Sequence, residues 1–137
     1  MIRFDYPVKV YYKDVDQMGI VYYSRYFEYF EAARTELFNS IGLDVTTIEN
    51  QGIYLPVITS HCDYKKGAKF EQEIIVETSI SELPKARLKI EYFVHPKIRE
   101  QTLVTGYTIH AFMKKSGRPT KVPEIILKTL KEKMETI

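Results

Sequence analysis

Asp14 and Asp16 stand two residues apart in the run Asp-Val-Asp-Gln-Met-Gly, and the segment behind them, residues 20–30, is crowded with tyrosine and phenylalanine. A carboxylate can attack a carbonyl as a nucleophile or serve as the base for an attacking water. Next to unpaired backbone N–H groups at a helix start, which suit an anion or a developing oxyanion, it completes a working set for acyl transfer or hydrolysis. Gly19, three residues after Asp16, permits a tight turn and close approach of a ligand. The N–H groups of Tyr22, Tyr23 and Ser24 would face such a ligand, and the aromatic side chains would form a dry wall in which a carboxylate gains basicity or nucleophilic strength. The plainer reading of the two acids is a solvated loop, or the general preference for negative charge at a helix N-terminus.

Other constellations carry less. There is no Gly-x-Ser-x-Gly elbow, no Gly-x-Gly-x-x-Gly and no phosphate loop. His61, His95 and His110 stand apart, without zinc-ligand spacing, so no metal is expected. His61, Cys62 and Asp63 are consecutive in a strand-like run. Neighbours in a strand point to opposite faces, which argues against a thiolate–imidazole pair.

The elements that must position the acids follow from periodicity. In residues 6–12, Tyr6, Val8, Val10 and Tyr12 alternate with Lys9 and Tyr11, a strand pattern. A loop follows from Asp14 to Gly19. From 24 to 41, Tyr26, Phe30, Ala33, Leu37 and Ile41 recur at helical spacing, with Ser24 as a candidate N-cap and Gly42 as a stop. Tyr23 and Phe27 broaden the apolar side, so this helix is expected to be covered on most of its circumference. Four further strands are predicted over 53–64 (with Pro56 marking an edge or bulge), 70–80, 86–94 and 103–113. Their inward residues would be Phe70, Ile74, Val76 and Ile80, then Ala86, Leu88, Ile90, Tyr92 and Val94, then Leu103, Tyr107, Ile109, Ala111 and Met113. The short links at 83–85 and 95–100 predict antiparallel hairpins. A last helix is expected from Pro123 to the end of the chain. This order predicts an α+β domain over residues 1–137, a curved antiparallel sheet of about five strands around one long helix. Its edge and apolar flank favour a homodimer or a dimer of dimers.

Composition sets the outer limits. At 137 residues, 45% hydrophobic and 28% charged, the chain reads as one ordinary soluble domain. No apolar run nears the ~18 residues that would span a membrane. The first residues lack the order of a secretory leader and the single cysteine admits no internal disulfide, so a cytoplasmic location is expected. Residues 1–50 hold 5 Lys/Arg against 8 Asp/Glu, and residues 51–137 hold 15 against 10. That surplus is too small for a nucleic-acid binder but suits an anionic ligand such as a phosphate-bearing cofactor.

The segment 12–34, from Tyr-Lys-Asp-Val-Asp-Gln-Met-Gly through the aromatic-rich helix to Glu-Ala-Ala-Arg, resembles the signature of hotdog-fold acyl-CoA thioesterases. It is most similar to the 4-hydroxybenzoyl-CoA thioesterase-like branch, including the acyl-CoA thioesterases associated with the Tol–Pal cluster. The strand–helix–strands order extends the resemblance over the whole chain. It implies hydrolysis of an acyl-CoA or acyl-carrier-protein thioester, with no cofactor beyond the CoA of the substrate. It places the catalytic carboxylate on Asp16, as nucleophile or base, and the carbonyl-polarising N–H on Tyr23, where many short-chain members carry histidine. Gly19, Glu31, Lys85 and Arg87 are the implied substrate contacts, Glu31 near the acyl group and the two basic residues at the nucleotide end; Lys65, Lys66 and Lys69 form a second basic candidate. Asp14 is expected to be structural. The alternatives are a module that binds acyl-CoA or acyl-carrier protein without catalysis, and a hydratase or dehydratase of the same fold.

Overall fold

Alternating side chains build the sheet of the computed structural model, which describes residues 1–98 and 101–135. The strands are β1 (Ile2–Lys9), β2 (Ile53–Tyr54), β3 (Val57–Tyr64), β4 (Glu73–Ile80), β5 (Arg87–Pro96), β6 (Val104–Lys114) and β7 (Pro119–Thr120). The helices are α1 (Arg25–Ser40), α2 (Val45–Asn50) and α3 (Glu124–Glu135). All pairings are antiparallel, in the order β1-β4-β5-β6, with β2, β3 and β7 all paired to β6. The sheet thus has seven strands among the described residues rather than about five. The two extra strands are two-residue pieces, β2 split from β3 at Leu55-Pro56 and β7 folding back on β6. Pro56 lacks an N–H but its carbonyl accepts from Ala111 at 3.1 Å, which keeps the broken strand against β6.

Helix α1 lies on this sheet through the stripe read from sequence. Tyr26, Phe30, Ala33 and Leu37 are buried, joined by Tyr29 and Phe38. Phe30 stacks on Tyr92 of β5 with ring centroids 4.1 Å apart. Beside that pair β6 carries Gly106, where a Cβ would sit 2.8 Å from the Phe30 ring and 2.6 Å from the His61 carbonyl. Only glycine lets the helix, β6 and β3 meet this closely. Gly42, at φ +77°, ends the helix, with the Leu43 N–H returning to Phe38 O at 2.9 Å. Ser24 stands at the cap position, but its side chain caps nothing and its backbone is already helical.

Several expectations are corrected. Tyr12 and Phe70 are exposed, because Tyr12 sits in a 3-10 turn (Tyr12–Asp14) and β4 begins only after a bend at Glu71, φ +68°. Ala86 precedes β5 and is exposed. In β6 the buried face is the opposite one, Val104, Thr108, His110 and Phe112, leaving Tyr107, Ile109, Ala111 and Met113 partly exposed. The reversal is possible because the buried polar groups are satisfied. The Tyr92 hydroxyl lies 2.7 Å from Thr108 Oγ1, which is 2.9 Å from His110 Nε2, while His110 Nδ1 meets Leu55 O at 3.0 Å. Strands β4, β5 and β6 are successive antiparallel neighbours as predicted, and β3 lies on the far side of β6 from β5. Helix α2, capped by Asp44 accepting the Thr47 N–H at 2.7 Å, was not anticipated. Residues 99 and 100 of the expected 95–100 link, and 136 and 137 of the expected last helix, lie outside the described residues.

Candidate active site

The acids sit on a small hairpin built by backbone pairing. The Asp16 N–H donates to Ile20 O at 2.9 Å, Gly19 N–H to Asp16 O at 3.0 Å and Tyr22 N–H to Asp14 O at 2.9 Å. Gly19, at φ +78°, makes the reversal that an L side chain would resist. Val21 N–H to Ala68 O (2.9 Å) and Phe70 N–H to Gly19 O (3.1 Å) tie the hairpin to the segment before β4. Asp14 and Asp16 then diverge. Asp14 is buried, accepts the Tyr11 N–H at 3.1 Å and meets Lys13 at 3.3 Å. Burial first, and the Asp14 charge second, push the neighbouring Tyr29 phenol above its ordinary pKa. Asp16 is exposed; its Oδ1 accepts from Met18 N–H at 2.8 Å and Ile20 N–H at 3.4 Å, and its Oδ2 has no partner among the described residues.

One cleft of about 460 Å³ joins Asp16 to the start of α1, lined also by Ile20, Tyr23, Tyr64, Lys65 and Lys66. At that helix start the N–H groups of Tyr23 and Ser24 find no acceptor among the described residues. The Tyr22 N–H, expected to be available, is taken by Asp14 O. The sixteen residues of α1 add the positive end of the helix dipole at this point. A carboxylate oxygen and unsatisfied donors on one cleft can attack, or activate water toward, a carbonyl whose oxygen turns negative. The dry wall expected around Asp16 is incomplete, since Tyr22 and Tyr23 are themselves exposed.

Tyr64 is the residue that sequence reasoning missed. Its hydroxyl donates to Tyr23 O at 3.1 Å, and its ring packs edge-on to Tyr23 and tilted against Tyr26. Tyr26 is buried and accepts the Ala68 N–H on its hydroxyl at 3.1 Å, so a tyrosine cluster braces the helix start from β3. The aromatic ending of strand 53–64 was the available signal. His61 and Cys62 behave as the alternation implied: His61 turns to Asp63 (3.0 Å) and stacks on Tyr107, while burial pushes the Cys62 thiol pKa up, away from a thiolate. Among the described residues no three His, Cys, Asp or Glu side chains gather as a metal site.

The other candidates are not all brought together. Gly19 belongs to the Asp16 hairpin. Glu31, exposed on α1, lines a different cavity of about 400 Å³ between α1, α2 and the β2–β3 link. Lys85 and Arg87 stand at the opposite end of β5 from this hairpin, since Arg87 pairs with Ala111 of β6 whereas Tyr64, on the cleft, pairs with Val104. Lys65 and Lys66 are the basic residues on the Asp16 cleft; Lys69 and Lys97 line an adjoining one with Lys66.

Residues 10–130 match the family described as the thioesterase-like superfamily. The chain is 39% identical to the acyl-CoA thioesterase YbgC of Haemophilus influenzae over 89 residues, 64% of this chain and 65% of that protein. It superposes on a hypothetical protein of Thermus thermophilus with a TM-score of 0.85 at 30% identity, covering 93% of this chain and 97% of the other. A DHNA-CoA thioesterase of Staphylococcus aureus gives the same TM-score at 24% identity, with 98% and 90% covered, a likeness of fold.

Proposed function

The chain belongs to the thioesterase-like superfamily, with the hotdog architecture, and from that premise we propose that it hydrolyses acyl-CoA thioesters to the free acid and thiol at the Asp16 cleft. One observation carries the reading: Asp16 Oδ2, without a partner among the described residues, shares a cleft with Tyr23, whose N–H finds no acceptor there. The thioester oxygen accepts from the Tyr23 N–H as negative charge develops on it. Asp16 either attacks the carbonyl carbon, expelling thiolate and leaving a mixed anhydride for water to cleave, or takes the proton of a water that attacks directly. In both routes the C–S bond breaks, water supplies the acid's oxygen and the thiolate leaves as thiol. No metal or redox group enters these steps. Gly19 lets the hairpin approach the ligand, and Tyr64 holds the helix start in place.

The site is completed in a homodimer paired edge to edge through β3, and two such dimers could form a tetramer. Strand β1, the other edge, is guarded by Pro7 and by Arg3, which pairs with Asp5 and Glu77. β3 instead presents exposed Val57 and Ile58. A two-fold axis would lay the partner's β3 antiparallel, so the partner's Val57 end meets this protomer's Tyr64. Because Val57 pairs with His110 and Arg87 with Ala111, the partner's Glu31 cavity, with its Lys85 and Arg87, would then approach the Asp16 cleft. That arrangement supplies the missing wall, an acyl pocket at Glu31 and basic groups at both ends for the CoA phosphates, Lys65 and Lys66 from one protomer and Lys85 and Arg87 from the other. An acyl-carrier-protein thioester would fit the same chemistry. Among the described residues no helix is long and apolar enough to cross a membrane, and a cytoplasmic location agrees with this substrate.

The experiment is thiol release from a panel of short-chain, long-chain and aromatic acyl-CoAs, with sedimentation of the same sample. Turnover on at least one member by a dimer or tetramer supports the proposal; a folded protein silent on every acyl-CoA and on an acyl-carrier-protein thioester overturns it in favour of a binding module.

A further inference from the structure

The second cavity contains a cation that makes no ion pair among the described residues. Arg34 extends from α1 into this cavity of about 400 Å³ between α1, α2 and the β2–β3 link. Its side chain is half-buried, and it forms no ion pair with any carboxylate among the described residues. Charges drawn away from water are ordinarily paired. Burial raises the pKa of the fully buried Tyr92 phenol, and the nearby Arg34 charge partly offsets the rise.

The polar groups beneath it are already satisfied and cannot supply the missing charge. Burial holds His110 below the ordinary histidine pKa, so the ring is neutral; its Nδ1–H donates to Leu55 O, and Nε2 accepts from the Thr108 hydroxyl. Thr108 Oγ1 therefore accepts from Tyr92. A guanidinium has five N–H donors in a planar fork. None of them is taken by a carboxylate among the described residues, which leaves them for an acceptor in the cavity. The surrounding wall is apolar, from Phe38, Ile48, Ile53 and Leu55, while Glu31 and Glu49 also line the space. Those two acids disfavour a ligand of high negative charge.

We infer that this cavity is a binding site for a single carboxylate on a small apolar body, held through the Arg34 guanidinium. The volume suits an aliphatic or aromatic acid of modest size. Such a group reaches the cavity from one of two sources, as a free carboxylic acid or as the far-end carboxylate of a diacid linked as a thioester. The site stands on Arg34 and the cavity walls, whether or not the Asp16 cleft hydrolyses thioesters.

The test has two arms. In the first, calorimetry on the full chain compares hexanoate and benzoate with hexanamide and benzamide. Each carboxylate is expected to bind roughly tenfold or more tightly than its neutral amide, a preference lost in Arg34→Gln and partly kept in Arg34→Lys. The second compares turnover of adipoyl-CoA with hexanoyl-CoA in the same proteins. An Arg34-dependent preference in the first arm identifies a free acid as the ligand, and one confined to the second identifies the thioester-linked diacid; both support the site. Equal binding of acids and amides without preference for the adipoyl group overturns it, as does a preference that survives in Arg34→Gln. If Arg34→Gln fails to fold, Arg34→Lys carries the comparison: an acid-over-amide preference that it leaves undiminished overturns the site, and a reduced one supports it.

Discussion

Gly106→Ala tests how the helix, the sheet and the site are joined. The new Cβ would lie 2.6 Å from the His61 carbonyl oxygen and 2.8 Å from Phe30 Cε2. Neither neighbour can swing aside cheaply: the first is backbone of β3, and the second is fully buried and stacked on Tyr92. Overpacking of this kind costs about 1–3 kcal/mol. For a chain of this size that corresponds to a fall in melting temperature of about 3–9 °C. Cys62 is the β3 residue opposite Gly106, and Tyr64 lies two residues further along the same strand. A displaced β3 therefore also loosens the Tyr64 hydroxyl from Tyr23 O, and thioester turnover should fall more than at a matched surface substitution such as Lys128→Ala. Thermal and urea unfolding beside thiol-release kinetics reads both effects. A variant that melts within about 1 °C of wild type and turns over normally would refute the packing argument.

Three further outcomes follow from the same geometry. Tyr64→Phe removes the donor to Tyr23 O and should cost about 0.5–1.5 kcal/mol of stability, with a several-fold loss in kcat/KM; unchanged kinetics would remove Tyr64 from the site. Asp14→Asn should lower stability by about 1 kcal/mol, leaving kcat within a few-fold, because Asp14 holds the Tyr11 N–H from a buried position; a stable but inactive variant would move the chemistry to Asp14. His110, with its folded pKa held below the ordinary 6.5 by burial, binds fewer protons in the folded chain than in the unfolded one. Its contribution is present above 6.5 and is lost as pH falls through the folded pKa. Melting temperature should therefore drop below pH 6.5 in wild type and drop less steeply in His110→Gln; parallel curves would contradict the assignment.

Much of this fold was legible because single faces are apolar at the right period. The helix stripe from Tyr26 to Leu37 and the alternation through Leu88, Ile90, Tyr92 and Val94 needed no other knowledge. Strand β6 failed for the converse reason. Its buried face carries Thr108 and His110, which only a hydrogen-bond chain drawn from β5 and the β2–β3 link makes tolerable, and no local pattern announces such partners. The position of β3 beside β6 was equally hidden, since alternation gives a strand's faces and not its neighbours. At the site, the Asp16 turn followed from Asp and Gly chemistry. Tyr64 did not, because it lies some forty residues away and reaches Tyr23 only through the tertiary fold. Lys85 and Arg87 were carried by resemblance alone; register places them at the end of β5 away from Asp16.

Asp16 is the residue on which the proposed chemistry depends. Asp16→Asn keeps the side chain's shape and an oxygen for the Met18 N–H, so the hairpin should stand. Single-turnover thiol release on the best acyl-CoA of the panel, with melting temperature and sedimentation as controls for folding and assembly, measures that dependence directly. A rate loss of at least about a thousandfold is expected in a protein that still folds, assembles and binds the substrate. Hydrolysis within a few-fold of wild type would contradict it and take Asp16 out of the mechanism.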